Sequence, residues 1–314
     1  MAGTIAGQSQ MPEIKHLYQN FIMDAARWDS FKFRDDDIVI ATSGKTGTTW
    51  TQWIVGNLIF AGRKLPASPL EMSPWLEMRI IPLEPMLAQL EQQTHRRFIK
   101  THLALDGLRF DPRVKYLYVG RDTRDVFMSA WNHYGSFTEA ALMGFNQAPG
   151  RVGPELPRCP DDIHEYWQTF MTRGWFAWET EGYPFSSPLR HAQTWWDFRH
   201  LPNILFVHYN DLLADFQAEV QRIANFLEIR LSEDAWPTII RNCTLDEMRA
   251  AAPDGRLGEV FKGGAQTFFY KGTNHRWKEV LSADELALYE SAASRIVTPD
   301  CRRWLENGRS AALP

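Results

Sequence analysis

Along the chain the clearest pattern is a set of short apolar runs that are continuous rather than alternating. They fall at 37–41 (DIVIA), 97–101 (RFIKT), 114–119 (VKYLYV) and 203–208 (NILFVH). A strand with one wet face alternates apolar and polar positions, whereas a strand covered on both faces does not. The four runs therefore predict strands buried on both sides. Between them the spacing changes: Phe216, Val220, Ile223, Ala224 and Leu227 recur at i, i+4, i+7, i+8 and i+11, which is one face of a helix. Strands alternating with helices predict an α/β fold of three layers, αβα, around a central, mostly parallel sheet. Ligands of such sheets bind beyond the carboxyl ends of the strands.

Two stretches interrupt the pattern. Residues 144–162 are crowded with Gly and Pro, and residues 252–275 are rich in Gly with interspersed Lys and Arg. A chain of 314 residues is long enough for one large domain. Long irregular segments in a compact domain are usually lids or binding loops. The expectation is a single domain, 1–314, with mobile loops at 144–162 and 252–275.

Charge and cysteine content narrow the class. The net charge is −4, so no global basic field favours nucleic acid or an anionic membrane, and anions must be bound by local clusters. Cys159, Cys243 and Cys301 are widely spaced, which fits neither a disulfide framework nor a zinc site and predicts a reducing compartment. The N-terminal stretch lacks the basic start and apolar core of a signal peptide. No run of about 18 apolar residues is present to span a membrane. The expected location is cytoplasmic.

The candidate chemistry sits where the strands end. Residues 42–50, TSGKTGTTW, combine Gly44 and Gly47 with Lys45 and the hydroxyls of Thr46, Thr48 and Thr49, directly after a strand. Backbone N–H groups at a helix N-terminus, a lysine and hydroxyl donors form a phosphate cradle, and Trp50 adds a flat surface for a purine. A Walker A loop requires Gly at position 39, but Val39 stands there and Gly47 follows the lysine. The nucleoside-triphosphate spacing is absent. A second strand ends in Lys100, Thr101 and His102, a cation and a base beside the loop. A third ends at Arg121, with Ser129 about two turns into a helix that starts near Thr123. That pair suits a grip on one phosphate, although Arg121 has a surface ion pair with Asp122 or Asp125 as its alternative. Lys271 and Gly272 read either as a loop closing over an anion or as a solvated turn.

Taken in order, these stretches resemble the cytosolic sulfotransferase family, which uses 3′-phosphoadenosine 5′-phosphosulfate (PAPS). Lys45-Thr46-Gly47-Thr48-Thr49-Trp50 is similar to the family's Lys-Ser-Gly-Thr-Thr-Trp, and KTHL at 100–103 matches its Lys-Thr-His-Leu. Arg121 and Ser129 match its 3′-phosphate motif, eight residues apart. PWLE at 74–77 and HYNDL at 208–212 are similar to further family stretches, in the same order. The resemblance runs from about Asp37 to Lys278.

What the resemblance implies is a P-loop-like sulfotransferase fold that moves a sulfuryl group from PAPS to a hydroxyl or amine. The products are a sulfated acceptor and adenosine 3′,5′-bisphosphate (PAP), and no metal is required. It implies His102 as general base, Lys45 on the departing bridging oxygen and Lys100 on the sulfuryl oxygens. Thr46, Gly47, Thr48 and Thr49 would hold the 5′-phosphate, with Trp50 and Tyr209 against adenine and Thr244 near the nucleotide. Arg121, Ser129, Lys271 and Gly272 would hold the 3′-phosphate. The acceptor is expected to be a small aromatic or apolar molecule in a pocket lined by Trp75, Met78, Trp131, Tyr134 and Phe137, with 144–162 as its lid. The competing readings are an ATP-dependent small-molecule kinase and a nucleotide-binding module without catalysis.

Two departures from the family pattern stand out. Tyr270 occupies the place of the arginine in the family's Arg-Lys-Gly loop, and Lys262, Arg256 and Arg276 are the candidate replacements. The family's dimerisation signature, due near Lys278, meets Ser282, Ala283 and Ala287 instead, so the resemblance gives no basis for that dimer.

Overall fold

The computed structural model describes residues 11–252 and 254–309. The N-terminal stretch read for a signal peptide lies largely outside the described residues, as do both ends of the expected 1–314 domain and position 253 of the 252–275 segment. The four apolar runs form β1 (Ile38–Thr42), β2 (Phe98–Thr101), β3 (Lys115–Gly120) and β4 (Ile204–His208). They join in the order β2-β1-β3-β4, and each pairing is parallel. Ile38, Val39, Ile40 and Ala41 are fully buried, which is why β1 shows no alternation.

Successive side chains of a strand point to opposite faces, and here each face carries its own core. Val39, Ala41, Ile99, Tyr116 and Tyr118 enter one cluster. Ile38, Ile40, Phe98, Leu117 and Val119 enter the other. Truncating one such buried Ile to Ala costs about 2–5 kcal/mol. The result is the expected three-layer α/β arrangement. At the entry to β1, Asp37 takes two bonds from Arg97, at 2.8 Å to Nε and 2.5 Å to Nη2, with both side chains buried. This pair fixes the starts of β1 and β2 against each other.

The topology creates one crevice. From β1 the chain leaves through α1 (Thr48–Ile59) and returns as β2 on one side, whereas from β3 it goes on to β4 on the other. Between the carboxyl ends of β1 and β3 the connections diverge, which is where ligands of open α/β sheets bind. The helix expected around Val220 spans Phe216–Phe226 and buries Val220, Ile223 and Ala224.

The two loop expectations fare differently. The helix Glu139–Asn146 runs into the 144–162 segment, and the remainder is irregular. The segment is buckled where Asn146 exchanges bonds of 3.0 and 2.8 Å with the backbone of Leu156. Residues 252–275 correct the loop reading, because they carry the short helices Asp254–Val260 and Gly264–Phe268. Leu257, Phe261, Ala265 and Phe269 bury there against the second core, and that apolar anchoring outweighs the low helix propensity of the glycines. No helix among the described residues is long and apolar enough to cross a membrane.

Candidate functional site

The loop between β1 and α1 needs two left-handed residues, Lys45 (φ 71°) and Gly47 (φ 112°). A Cβ on Gly47 would lie 2.9 Å from the Tyr209 ring, so glycine is required there by both conformation and space. The first backbone bond of α1 is donated by Thr51 to the Gly47 carbonyl. The N–H groups of Thr48, Thr49 and Trp50 therefore have no helical acceptor and present partial positive charge to the crevice. Thr46 turns its hydroxyl inward to the Ser43 carbonyl at 3.1 Å, which leaves its backbone, not its side chain, for an external anion. Thr48 Oγ1 meets Thr42 Oγ1 at 2.7 Å.

His102 completes that chain of groups. Its Nδ1 lies 3.0 Å from the Thr42 carbonyl oxygen and 3.0 Å from Thr42 Oγ1. A carbonyl only accepts, so Nδ1 carries the proton and the lone pair sits on Nε2. Burial, followed by the charge of Lys100, pushes the imidazole down to about 3, and it is neutral near pH 7. Its position is set by Glu77, the last residue of the PWLE stretch and a fully buried carboxylate. One Glu77 oxygen accepts from the His102 N–H at 2.6 Å and from Thr101 Oγ1 at 2.8 Å, and the other accepts from Trp28 Nε1 at 2.9 Å.

Two lysines face the same space. Burial, with Arg121 and Lys100 nearby, brings the Lys45 ammonium down to about 7. Burial brings Lys100 to about 8, opposed by the charge of Glu77. Lys45 Nζ lies 3.1 Å from Nδ1 of His133, a residue that the sequence reading did not single out. Its signal was helical spacing: Val126, Ser129, Ala130 and His133 fall at i, i+3, i+4 and i+7 and line one cavity.

Arg121, at the tip of β3, is 6% exposed. It donates to Asn274 Oδ1 at 2.8 and 2.6 Å, to the Thr273 carbonyl at 3.0 Å and to the Lys45 carbonyl at 3.2 Å. The surface ion-pair alternative is overturned: Asp122 is engaged by Arg124 and caps the helix Thr123–Gly135. Arg121 instead ties the β1–α1 loop to the 271–274 segment. Tyr209 bridges the same parts, with the Arg121 guanidinium 4.3 Å over its ring and its hydroxyl 3.3 Å from the Gly272 carbonyl. Trp50 donates to the Cys243 carbonyl at 2.9 Å, and Phe216 covers one of its faces. Thr244 is an exposed helix N-cap beside them.

All the predicted donor-site residues except Thr46 line one cavity of about 1240 Å³ between the strand ends. Trp75, Met78 and Phe137 of the expected acceptor wall line it as well. Trp131 and Tyr134 do not. Two and five residues beyond Ser129, they lie about 200° and 140° around the helix. Both pack on Tyr166, and Tyr134 also bonds the Pro157 carbonyl. Phe145, Phe170 and Phe185 take their place in the wall.

Comparison with known proteins agrees with this geometry. Residues 35–293 match the family model described as "Sulfotransferase domain". The chain is 32% identical over 316 residues to a glycolipid sulfotransferase of Mycobacterium bovis, covering 95% of this chain and 96% of that protein. It is 25% identical to rat sulfotransferase 1A1, covering 85% and 86%. Among solved structures it superposes on mouse sulfotransferase SULT7A1 complexed with PAP with a TM-score of 0.65, at 20% identity over 87% of this chain and 88% of that one. A retinol dehydratase in complex with retinol and PAP gives a TM-score of 0.66 at 22% identity, covering 88% and 85%.

Proposed function

The chain belongs to the sulfotransferase family, and from that premise we propose that it moves a sulfuryl group from PAPS to a hydroxyl on an apolar or amphipathic acceptor, with His102 as general base. One observation carries the assignment of the base. The His102 tautomer is fixed by a carbonyl, so its free lone pair belongs to Nε2, and the residue lines the cavity together with Lys45, Lys100 and the apolar Trp75 and Met78. When bound, PAPS supplies the sulfuryl group and a leaving 5′-phosphate.

The chain's own residues divide the work. Thr48 and Thr49 amides hold the 5′-phosphate with the partial charge of the α1 N-terminus. Lys45 stabilises negative charge on the bridging oxygen as the S–O bond breaks, and Lys100 holds the oxygens of the group in flight. His102 Nε2 takes the acceptor proton as the new O–S bond forms, which needs a neutral imidazole. Burial and the charge of Lys100 favour that neutral form in the free protein, and the anionic donor raises its basicity once bound. Arg121, Ser129, Lys271 and Gly272 serve the 3′-phosphate.

The cavity must hold donor and acceptor together, and its apolar wall of Trp75, Met78, Phe137, Phe145, Phe170 and Phe185 supports an apolar or amphipathic acceptor. The name of the mycobacterial relative, a glycolipid sulfotransferase, points the same way. The 144–162 segment acts as a lid in this reading, with Arg79, beside Met78 of the wall, donating to the Gly150 carbonyl. The three free cysteines among the described residues support a reducing, cytoplasmic location. A kinase is the less favoured reading: position 39, where a triphosphate loop needs glycine, is a fully buried strand valine.

The acceptor class is tested by offering labelled PAPS with a panel of phenols, long-chain alcohols and glycolipids in mixed micelles. The proposal expects the highest kcat/KM among the apolar and amphipathic hydroxyls. A preference for a small, water-soluble phenol contradicts it.

A further inference from the structure

We propose that Arg276 is a ligand of the donor's 3′-phosphate, standing in for the arginine that the family carries where this chain has Tyr270. The proposal deepens the PAPS reading above and rests on it.

Three observations converge on Arg276. First, position: it lines the same cavity as Arg121, Ser129 and Lys271. It follows His275, a left-handed residue (φ 67°) whose N–H bonds Asp125 at 2.6 Å. That bond clips the segment onto the helix that carries Ser129, and Arg276 Nη2 reaches the Met128 carbonyl of that helix at 3.5 Å. Second, its guanidinium lies 5.2 Å over the ring of Tyr270. The residue that replaced the family arginine thus supports a substitute cation rather than leaving the place empty. Such a stack orients a guanidinium without neutralising it.

Third, the positive charge is only partly compensated. Burial lowers the pKa of Arg121, the nearby charges of Asp125 and Asp122 oppose that, and Arg276 adds to the lowering, so the two guanidiniums feel each other. Among the described residues neither has a carboxylate within ion-pair distance, and the Arg121 bonds go to an amide oxygen and carbonyls. Arg276 Nε is buried with no partner among the described residues, and the Ser129 hydroxyl, on the helix Thr123–Gly135, has no hydrogen bond to any of them. Two adjacent cations, an orphaned N–H and a free hydroxyl are costly unless an anion with several acceptor oxygens joins them. A phosphate monoester fits that description. The other two candidates fit less well. Lys262 is exposed and off the cavity wall, and Arg256 approaches from an exposed position on the helix Asp254–Val260.

The test is calorimetric titration of the full chain with PAP and with adenosine 5′-monophosphate, which lacks the 3′-phosphate. Wild type, Arg276→Ala, Arg276→Lys and the double variant Tyr270→Arg/Arg276→Ala are compared. Loss of a charged hydrogen-bonding partner predicts PAP binding weakened by about 10- to 100-fold in R276A, with monophosphate affinity unchanged. Arg276→Lys should fall between, and the double variant should regain much of the loss. Undiminished PAP affinity in R276A, or equal losses for both nucleotides, overturns the proposal. A wild-type protein that binds both nucleotides alike overturns instead the PAPS reading on which it rests.

Discussion

The ammonium of Lys45 rests 3.1 Å from Nδ1 of His133, in a site where burial and the charges of Lys45, His102 and Lys100 hold that imidazole far below its usual pKa. His133 is therefore neutral, and its lone pair accepts from Lys45. A bond accepted from Lys45 favours the charged form of a lysine that burial, Arg121 and Lys100 weaken to about 7. Replacing His133 by Phe removes it and pushes Lys45 lower still. We expect kcat/KM for PAPS to fall by about 10-fold at pH 8, where Lys45 is then largely uncharged, and far less at pH 6. Equal losses at both pH values would contradict this role.

Donor binding should be coupled to protonation. Lys45 and Lys100 titrate near 7 and 8 in the free protein because burial disfavours their charge. At pH 8, Lys45 is mostly deprotonated and Lys100 about half so. A polyanionic nucleotide raises both values, so protons are taken up on binding, and affinity falls as pH rises from 7 to 9. Titrations of PAP at pH 8 in buffers of different ionisation enthalpy measure this directly. Net uptake of about one proton is expected; zero uptake would show that the lysines are charged before the donor arrives.

Gly47→Ala tests the cradle. The substitution places a side chain at φ 112° and 2.9 Å from the Tyr209 ring, a strain of about 1–3 kcal/mol. The loop is expected to shift, and PAP affinity to drop by at least about 10-fold while the variant still folds. Circular dichroism melting with calorimetry separates the two effects, and unchanged affinity would remove the loop from the donor site.

Glu77 is a support rather than a participant. It accepts from three donors, on Thr101, His102 and Trp28, and Glu77→Gln turns an amide N–H toward one of them. A loss of about 1–3 kcal/mol in urea unfolding is expected, together with lower turnover as His102 loses its anchor. Unchanged stability would mean that the carboxylate is not needed there.

Much of this was readable from the sequence, for identifiable reasons. The strands fall within one residue of expectation because burial on both faces leaves runs such as 37–41 without polar interruption. Lys45, Lys100, His102 and Arg121 were legible because each sits at a strand's carboxyl end, where topology gathers them. Glu77 was not, since its role depends on Trp28 and Thr101, which come from elsewhere in the chain. Trp131 and Tyr134 misled because closeness in sequence to Ser129 is not closeness in space on a helix, whereas His133 satisfies the i+4 rule. The 252–275 segment misled because glycine content argues for a loop while Leu257, Phe261, Ala265 and Phe269 are free to bury.

The central claim is that His102 takes the acceptor proton and does not hold the donor. His102→Ala should lower sulfuryl transfer from labelled PAPS by roughly 10²–10⁴-fold, while its calorimetric affinity for PAP stays at the wild-type value. Transfer at close to the wild-type rate would contradict the account.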